Sequence, residues 1–452
     1  MAQRRHDIER MPYVPYFGLV VWGCVAIWSI NHREGRLSQV FFLAFAICAV
    51  ALLAFKSTGR GTPFGDFDMA YYPAGRLILS EPSRVYDCAH EDGLCFVNLP
   101  LVAALFAPVA ALPLPAAHVV VAVGSVVSIA LTAWLLVQLV GARGAQQYAV
   151  MALILLNGPL YYSVRLANIT HIVLLFLVIA VAWMIRGQSG RAGSLLALVA
   201  LLKPPFLIWL PYFALRRQWR AAAAMSGTLI VLGLASVLLF GVPLHLAWTR
   251  HFLVGSSAHP IGAYNVQSIA GFLVRLSVSG TLVDWRPVDV GRLFFIAQVA
   301  LTLTVVVSAL AAGALAGEPR GRTSQLREYS MVLCVMLLAS PVSWTHYYCL
   351  LLLPLAALAS DAMELPHAPR SRWSSATAAL LVSLPVLLWV PVDRFSGALI
   401  ARVLLSHYLF GAVWLLGILI AASIEARRSL ERLARWRDET SVAAAVVYAK
   451  GA

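Results

Sequence analysis

The chain has 452 residues, of which 61% are hydrophobic and only 12% are charged. Soluble globular proteins carry about 45–50% apolar and about 25% charged residues, so this chain has too few charges to cover a surface that faces water. Its apolar runs recur along the whole length, which predicts an all-α polytopic membrane protein. The composition excludes a soluble cytosolic enzyme, a DNA-binding protein and a small secreted module held by disulfides.

The formal net charge is +14, from 34 Lys and Arg against 20 Asp and Glu. A basic excess can indicate nucleic-acid binding. Here the basic residues stand in short clusters between apolar runs, as the positive-inside rule expects for cytoplasmic loops, so no nucleic-acid partner is predicted. The arginines that mark these loops are Arg186, Arg191, Arg216, Arg217, Arg220, Arg320, Arg322, Arg327, Arg370, Arg372 and those of the C-terminal tail.

The apolar runs predict membrane spans at 13–30, 38–55, 116–140, 147–162, 170–185, 221–241, 291–316, 329–343, 347–360, 374–391 and 400–424. The first run is long for a signal-peptide core and no small-residue cleavage site follows it, so we interpret it as an uncleaved span. Counting re-entrant segments, we expect about 11–13 helices in the membrane.

Residues 193–215 predict a re-entrant hairpin. Two apolar runs flank Lys203-Pro204-Pro205, and arginines of the cytoplasmic side stand at both outer ends. Each run has about ten residues, which is too short to cross a hydrocarbon core of ~30 Å at 1.5 Å per residue. A helical hairpin that enters from the cytoplasm and breaks at the prolines fits both observations.

Counting the crossings predicts two long loops on the outer face, 56–115 and 242–290, and a basic cytoplasmic tail at 425–452. The tail alternates arginine with leucine and tryptophan, which is typical of an amphipathic helix that binds anionic lipids. No linker or internal repeat divides the chain, so residues 1–452 are interpreted as one integral membrane domain. The same count places the N-terminus outside, although its arginines favour the inner face, and its orientation stays open.

Acidic residues narrow the search for a catalytic base, because none occurs between Gly93 and Val283. The first outer loop holds Asp66 and Asp68 next to Phe67, shortly after an apolar run. A carboxylate that is partly desolvated in this way has a raised pKa, which suits proton abstraction. The alternative is that Asp66 caps the following helix. The Asp-x-Asp spacing is weak evidence for a divalent metal.

Several ordered motifs carry a resemblance to a known family. They are Gly65-Asp66-Phe67 with Tyr71 and Ala74-Gly75-Arg76, Val85-Tyr86-Asp87, Asn98-Leu99-Pro100 through Leu112-Pro113, Leu202-Lys203-Pro204 with Leu210-Pro211-Tyr212, Asn265 with Gln267-Ser268 and Arg275, and Ser340-Pro341-Val342-Ser343-Trp344 with His346. On these residues the chain resembles glycosyltransferase family 87, membrane enzymes of the GT-C type that include bacterial polyprenyl-phosphate-mannose-dependent α-1,2-mannosyltransferases. Asn98 and Leu99 depart from the family pattern, as do Arg165, Asn168 and His171.

The resemblance implies a GT-C-type helical bundle whose outer-face loops carry the active site, in the bacterial cytoplasmic membrane with the site facing the periplasm. It implies inverting transfer of a hexose, by family default mannose, from a polyprenyl-phosphate sugar to a lipid or glycan hydroxyl. The family's first-loop aspartate corresponds to Asp66, with Asp68 as the alternative base. The departures at Asn168 and His171 leave the sugar and the acceptor open.

The remaining site residues fall into two groups under the resemblance. The candidates for the donor phosphate are Lys203, Arg76, Arg165, Arg275 and His346, and those for sugar or acceptor are Tyr71, Tyr72, Asn168, His171, Asn265, Gln267, Ser268 and Trp344. Three alternatives remain: Lys203 extends to the membrane surface, His346 is structural, and Ser268 caps a helix. No cofactor is expected, and dependence on a divalent metal and the oligomeric state stay open.

The cysteines and one polar loop complete the candidates. Cys88 and Cys95 lie in the first outer loop, where an oxidising environment favours a disulfide. Between them, His90, Glu91 and Asp92 could bind a metal, although an exposed polar loop is the alternative. A transporter or lipid flippase is the competing function, because transporters use broken helices at their substrate sites.

Overall fold

The structure is a computed structural model that describes residues 63–87, 96–250, 260–277, 282–319, 321–363, 369–384 and 399–451. Within these ranges the chain is predominantly helical and forms no strand. The helices are α1 (Tyr72–Ser80), α2 (Pro100–Ala110), α3 (Leu114–Val140), α4 (Ala145–Leu155), α5 (Gly158–Arg165), α6 (Thr170–Ile185), α7 (Ser189–Leu202), α8 (Trp209–Leu215), α9 (Trp219–Trp248), α10 (Ile269–Ser277), α11 (Arg292–Ala316), α12 (Arg322–Ala339), α13 (Leu352–Ala359), α14 (Pro369–Ser383), α15 (Leu399–Leu404) and α16 (His407–Gly451).

Four described helices are long and apolar enough to cross a membrane: α3, α9, α11 and the part of α16 from His407 to Ser429. The prediction of an all-α polytopic membrane protein is therefore confirmed. The span predicted at 170–185 coincides with α6, and those at 116–140 and 291–316 correspond closely to α3 and α11. The runs at 13–30 and 38–55 lie outside the described residues.

The predicted span 147–162 is wrong because α4 and α5 replace it, and the span at 400–424 is likewise divided between α15 and α16. The break between α4 and α5 falls at Asn157, whose side-chain oxygen accepts a hydrogen bond from the backbone N–H of Leu160 at 2.9 Å. An asparagine N-cap followed by Gly158-Pro159 starts a new helix, since proline is favoured in the first turn and disfavoured in a helix interior. The chain consequently turns between α4 and α5 rather than crossing once.

The first outer loop is a folded layer rather than an open connection. Helices α1 and α2 pack so closely that a Cβ on Gly75 would lie 2.9 Å from the Cβ of Ala110. Tyr71 stacks on Phe106 with ring centroids 4.6 Å apart. This layer has its own hydrophobic core, which includes the fully buried Phe67. It thereby holds the residues around Asp66 in a fixed position.

The segment around Lys203 doubles back on itself. Helix α7 ends at Leu202, the 3₁₀ helix Pro204–Ile208 follows, and α8 then leads to the start of α9. Gly193 near the start of α7 meets Ala221 near the start of α9, where a Cβ on the glycine would clash with the carbonyl oxygen of Ala221. The chain therefore travels from Gly193 to Lys203 and returns to its starting level, with Lys203 at the turn.

The second outer loop is closed by backbone pairing. Tyr264 donates its N–H to the carbonyl of Leu282 at 2.8 Å, and Val288 donates to Pro260 at 3.0 Å. The loop is also bound to the turn that follows α12, through an isolated bridge between Val266 and Trp344. The motif around Gln267 and the motif that ends at Trp344, which are distant in the sequence, are thus neighbours in the structure.

Candidate functional site

Asp66 lies on a turn that is fixed by the backbone of another loop. Its N–H donates to the carbonyl of Leu166 at 3.0 Å, and the N–H of Phe64 donates to the carbonyl of Arg165 at 2.8 Å. These bonds join the start of the first outer loop to the connection between α5 and α6. Two residues of this junction adopt the left-handed conformation that non-glycine residues rarely take, Phe64 with φ 66° and Ala167 with φ 49°.

The carboxylate of Asp66 faces Asn168. The amide nitrogen of Asn168 donates to Oδ2 of Asp66 at 2.6 Å. The amide oxygen of Asn168 accepts from the Nζ of Lys203 at 3.2 Å and from the hydroxyl of Thr170 at 2.5 Å. Asp66 makes no side-chain capping bond to the helix that follows, so the capping alternative is wrong. A single amide therefore separates the candidate base from the ammonium group.

Lys203 is buried, with 6% of the residue exposed. Its ammonium group also lies over the ring of Tyr347, 4.3 Å from the centroid. The residue has an extended backbone between α7 and the prolines, which directs it out of the helical path. Because its charged end contacts Asn168 and Tyr347 inside the protein, the alternative that Lys203 extends to the membrane surface is wrong.

Two buried histidines lie near this lysine. His171 bonds the hydroxyl of Ser163 through Nδ1 at 2.9 Å, and its Nε2 has no hydrogen-bond partner among the described residues. The Nε2 of His346 is also buried without a partner among them. Both imidazoles are within electrostatic range of Lys203. Buried polar atoms are almost always hydrogen-bonded, so unpaired imidazole nitrogens beside a cation fit the lining of a ligand site.

Burial raises the pKa of the Asp66 carboxyl above its usual value, because the charged form loses hydration. The hydrogen bond from Asn168 and the charge of Lys203 act in the opposite direction and limit the rise. A carboxylate with a raised pKa is a stronger base than an ordinary aspartate and remains deprotonated above that pKa. The environment therefore suits removal of a proton from a hydroxyl.

Asp68 has a different partner, which the sequence did not reveal. Its Oδ1 lies 2.6 Å from Nε2 of His118, near the start of α3. His118 stacks on Phe64 with ring centroids 4.2 Å apart. The only local sign of this residue is a histidine at the outer end of an apolar run, and nothing in the sequence pairs it with Asp68.

The tyrosines and arginines around the first loop are distributed over a wider area. Tyr71 is buried against Phe106 and lies within electrostatic range of Asp66. Tyr72 donates to the carbonyl of Leu112 at 2.9 Å. Arg76 is exposed on α1. Arg165 is half-buried at the end of α5, within electrostatic range of Tyr264.

The second-loop residues bind mainly to protein backbone. Asn265 accepts from Trp285 at 2.9 Å, and its carbonyl accepts from the N–H of Thr345 at 2.8 Å. Gln267 donates to the carbonyls of Tyr264 and Leu405, both at 2.7 Å.

Ser268 accepts from the N–H of Gly271 at 3.1 Å, which confirms the alternative that it caps a helix. Its hydroxyl donates to the carbonyl of Pro341 at 2.8 Å. With the bridge at Trp344, these bonds hold the second loop against the turn that carries His346 and Tyr347.

The guanidinium of Arg275 is also hydrogen-bonded to protein oxygens. It is 2% exposed, and its guanidinium donates to the carbonyls of Ala263 at 3.0 Å and Val266 at 2.5 Å. Two further bonds go to the hydroxyl of Ser406. Four of its five N–H donors are thus occupied by protein oxygens, and the structure does not bring this residue to Asp66.

The predicted disulfide of Cys88 and Cys95 lies outside the described residues, as do His90, Glu91 and Asp92. In the part of the chain that the structure describes, no group of three or more His, Cys, Asp and Glu side chains is placed to hold a metal ion.

Comparison with known proteins tests the resemblance. The model of glycosyltransferase family 87 matches residues 96–341, more than half of the chain. Two relatives are each named polyprenol-phosphate-mannose-dependent alpha-(1-2)-phosphatidylinositol mannoside mannosyltransferase. The relative from Mycobacterium tuberculosis is 28% identical over 353 residues, which are 72% of this chain and 78% of the relative. The relative from Mycolicibacterium smegmatis is 29% identical over 377 residues, which are 78% of this chain and 81% of the relative.

These matches include most of the site. Asn168, Lys203 and the second-loop motif lie inside the family match, whereas Asp66 and Asp68 precede it. The resemblance predicted from the ordered motifs is confirmed, and membership of an enzyme family decides against the transporter or flippase alternative. The chain is a multi-pass membrane glycosyltransferase and belongs to glycosyltransferase family 87.

Proposed function

We propose that this protein transfers a mannosyl residue from polyprenyl-phosphate mannose to a hydroxyl of a lipid or glycan acceptor. The observation that carries the proposal is the contact series Asp66–Asn168–Lys203, which puts a partly buried carboxylate and a buried ammonium on either side of one amide. The two relatives support the donor and the sugar, because both are named for dependence on polyprenol-phosphate mannose.

In this mechanism Asp66 is the general base. Its carboxylate takes the proton of the acceptor hydroxyl while that oxygen attacks the anomeric carbon of the donor. The bond from the anomeric carbon to the phosphate oxygen breaks, and polyprenyl phosphate leaves with the bonding electrons, so the configuration inverts. Only one oxygen of Asp66 bonds Asn168, which leaves the other to accept the proton. General base catalysis supplies about 10²–10⁴-fold in rate.

Lys203 stabilises the leaving phosphate. An ammonium group has three N–H donors, and that of Lys203 makes one hydrogen bond among the described residues. Its remaining donors are available for phosphate oxygens, where charge accumulates as the donor bond breaks. The unpaired Nε2 of His171 is an acceptor for a sugar hydroxyl, because Ser163 gives its proton to the carbonyl of Asn168 and accepts from Nδ1 of His171. The unpaired Nε2 of His346 supplies a further polar contact to the donor. Arg76 and Arg165 are the additional cations of this region.

The site faces the outer side of the cytoplasmic membrane in this proposal. The buried ion pair of Arg216 with Glu328 lies at the end of the hairpin opposite to Lys203, among the arginine-rich loops. The positive-inside rule assigns those loops to the cytoplasm, so Lys203 and Asp66 lie toward the outside. No nucleotide-sugar pool exists there, which accords with a donor carried on a lipid.

The test is transfer of radiolabelled mannose from polyprenyl-phosphate mannose to lipid acceptors by purified protein in lipid nanodiscs. We expect transfer by the wild type and a loss of about 10²–10⁴-fold in Asp66→Asn, which keeps the shape but loses the base. The matched control is Asp284→Asn, which removes an exposed carboxylate of the second outer loop that pairs with Arg286. We expect the control to remain active.

Two results would contradict the proposal. Wild-type protein that transfers sugar from no polyprenyl-phosphate donor would reject the donor class. Wild-type activity in a folded Asp66→Asn variant would reject Asp66 as the base while leaving the reaction class intact. Folding of each variant is checked by its elution profile and its thermal midpoint in the same nanodiscs.

A further inference from the structure

We infer that His118 is a positioning residue that holds Asp68 and thereby fixes the turn that presents Asp66. The inference rests on the proposed function, because it concerns how that base is placed. It also gives the two neighbouring aspartates different roles: Asp66 is left to act on the substrate, and Asp68 anchors the loop to α3.

His118 is held at three points. Its Nε2 lies 2.6 Å from Oδ1 of Asp68. One face of its ring stacks on Phe64 at 4.2 Å between centroids with the planes 12° apart. Phe67 approaches the ring edge-on at 6.0 Å. The three partners all belong to the turn around Asp66, so one side chain of α3 binds the turn on both sides of the base.

The turn itself needs such a restraint. Phe64 has a φ of 66°, which is unfavourable for a bulky side chain, and the N–H of Asp68 donates to the carbonyl of Phe64 at 2.8 Å. The stacked ring holds Phe64 at one end of this closed turn, and the hydrogen bond to the imidazole holds Asp68 at the other. Asp66 lies between these two ends. Its carboxylate can meet the amide of Asn168 only while both ends stay in place.

The two carboxylates are separated by their partners. Oδ2 of Asp66 accepts from the neutral amide of Asn168, and the ammonium group of Lys203 binds the other side of that amide. Oδ1 of Asp68 meets an imidazole, and its side chain is 30% exposed. Asp68 is thus directed toward α3 and away from the amide that orients the base. A carboxylate bound in this way acts through position rather than on the reacting atoms.

The experiment compares His118→Ala, His118→Gln, Asp68→Asn and the double variant His118→Ala/Asp68→Asn in the transfer assay. We expect His118→Ala to lower kcat by about 10–100-fold with KM for the donor nearly unchanged, because a displacement of about 1 Å at the base has effects of this size. The double variant should be no slower than the slower single variant, since both changes break one contact. His118→Gln, which keeps a side-chain N–H donor, should recover most of the rate.

The matched control is His245→Ala. His245 is also a histidine of a long apolar helix with two hydrogen bonds, to Ser236 and to the carbonyl of Gly241, but both bonds stay within α9. We expect its kcat to equal that of the wild type. If His245→Ala loses as much kcat as His118→Ala, the inference is overturned. Removal of any hydrogen-bonded histidine from a long helix would then lower kcat, whether or not it contacts Asp68.

Other outcomes are equally decisive. Wild-type kcat in His118→Ala, or fully additive losses in the double variant, would overturn the inference. A fall in activity that matches the fraction of unfolded protein and is not recovered by glutamine would also overturn it. Asp68→Asn as inactive as Asp66→Asn, with His118→Ala fully active, would reject the positioning role and make Asp68 a second catalytic carboxylate. In each case the activity of the wild type and of Asp66→Asn separately decides the proposed function.

Discussion

Two carboxylates that lie near opposite ends of the hairpin, the buried Glu328 and the partly buried Asp66, are bound in different ways. Glu328 in α12 is bonded directly by the guanidinium of Arg216, which also donates to the carbonyl of Gly313 at 3.0 Å. Asp66 is bonded by the neutral amide of Asn168, and its nearest described cation, Lys203, binds the far side of that amide. The first carboxylate is neutralised, and the second is only oriented.

The difference explains what each site can do. Burial raises the pKa of the Glu328 carboxyl, but the guanidinium of Arg216 opposes that rise and occupies the carboxylate by direct contact. Burial also raises the pKa of the Asp66 carboxyl, which accepts one amide N–H from Asn168 and no hydrogen bond from a cation among the described residues. Likewise, Arg216 is engaged by protein oxygens, whereas Lys203 retains donors for a ligand. The Arg216 end of the hairpin holds an ion pair within the protein, whereas the Lys203 end carries the residues of the proposed reaction.

The largest change is expected at the Arg216 end of the hairpin. Arg216→Met leaves Glu328 buried without its cation, which lowers the free energy of unfolding by about 3 kcal/mol. Specific activity of the folded fraction should stay close to that of the wild type, because the pair lies at the end of the hairpin opposite to Lys203. Thermal midpoint and transfer rate are measured on the same nanodisc preparation. Adding Glu328→Gln should restore part of the stability. A loss of transfer activity at unchanged stability would contradict the stabilising role assigned to Arg216 and Glu328.

Lys203→Met should produce the opposite result. We expect transfer to fall by about 10²–10³-fold, because the leaving phosphate loses its nearest cation, while the thermal midpoint changes little. Lys203→Arg keeps the charge and should be less affected. Steady-state kinetics with varied donor provide the measurement. A variant that retains the wild-type rate would show that the phosphate is bound elsewhere.

Arg275→Lys distinguishes a structural arginine from a ligand-binding one. A lysine keeps the positive charge but cannot reproduce the planar set of donors to Ala263, Val266 and Ser406. We expect the free energy of unfolding to fall by about 2 kcal/mol, with KM for the donor unchanged in the folded fraction. An increase in donor KM at normal stability would instead support the role in phosphate binding predicted from the family motif.

The smallest change is a shift in pH dependence. Asn168→Ala removes a hydrogen bond that lowers the pKa of Asp66, so that pKa should rise further. The base is active only when ionised, and activity is lost as pH falls through the pKa. The acidic limb of kcat/KM should therefore move to higher pH, with activity retained best at alkaline pH. A limb at the wild-type pH would show that Asp66 is not the group that titrates.

The sequence was sufficient for the helical membrane architecture, and it singled out Asp66 and Lys203, which the structure brings to the same amide. Apolar runs of span length are local features, so α3, α6 and α11 could be located directly. Asp66 and Lys203 stood out because acids and lysines are so rare in this chain. The error at 147–162 had a local cause as well: Asn157 and Pro159 signal a new helix, but the surrounding residues are apolar enough to read as one run.

Partners could not be predicted, because they are far apart in the sequence. Asp66 and Asn168 are separated by 102 positions, and Asp68 and His118 by 50. Local periodicity assigns residues to a face of a helix but does not say which distant loop meets that face. The same limit applies to Arg275: its motif resembles that of an enzyme site, and only the folded chain reveals how many of its donors the backbone occupies.

The position of the proposed base depends on main-chain atoms of two loops, those of Phe64 and Asp66 on one side and of Arg165 and Leu166 on the other. Almost every residue type can make these main-chain hydrogen bonds, so the side chains at these junctions can be substituted without displacing the carboxylate. Insertions and deletions cannot be absorbed in this way, because one added residue would move every donor off its acceptor. Among homologues of this protein, the lengths of the two loops that exchange these main-chain hydrogen bonds should therefore be preserved more strictly than the amino acids that occupy them.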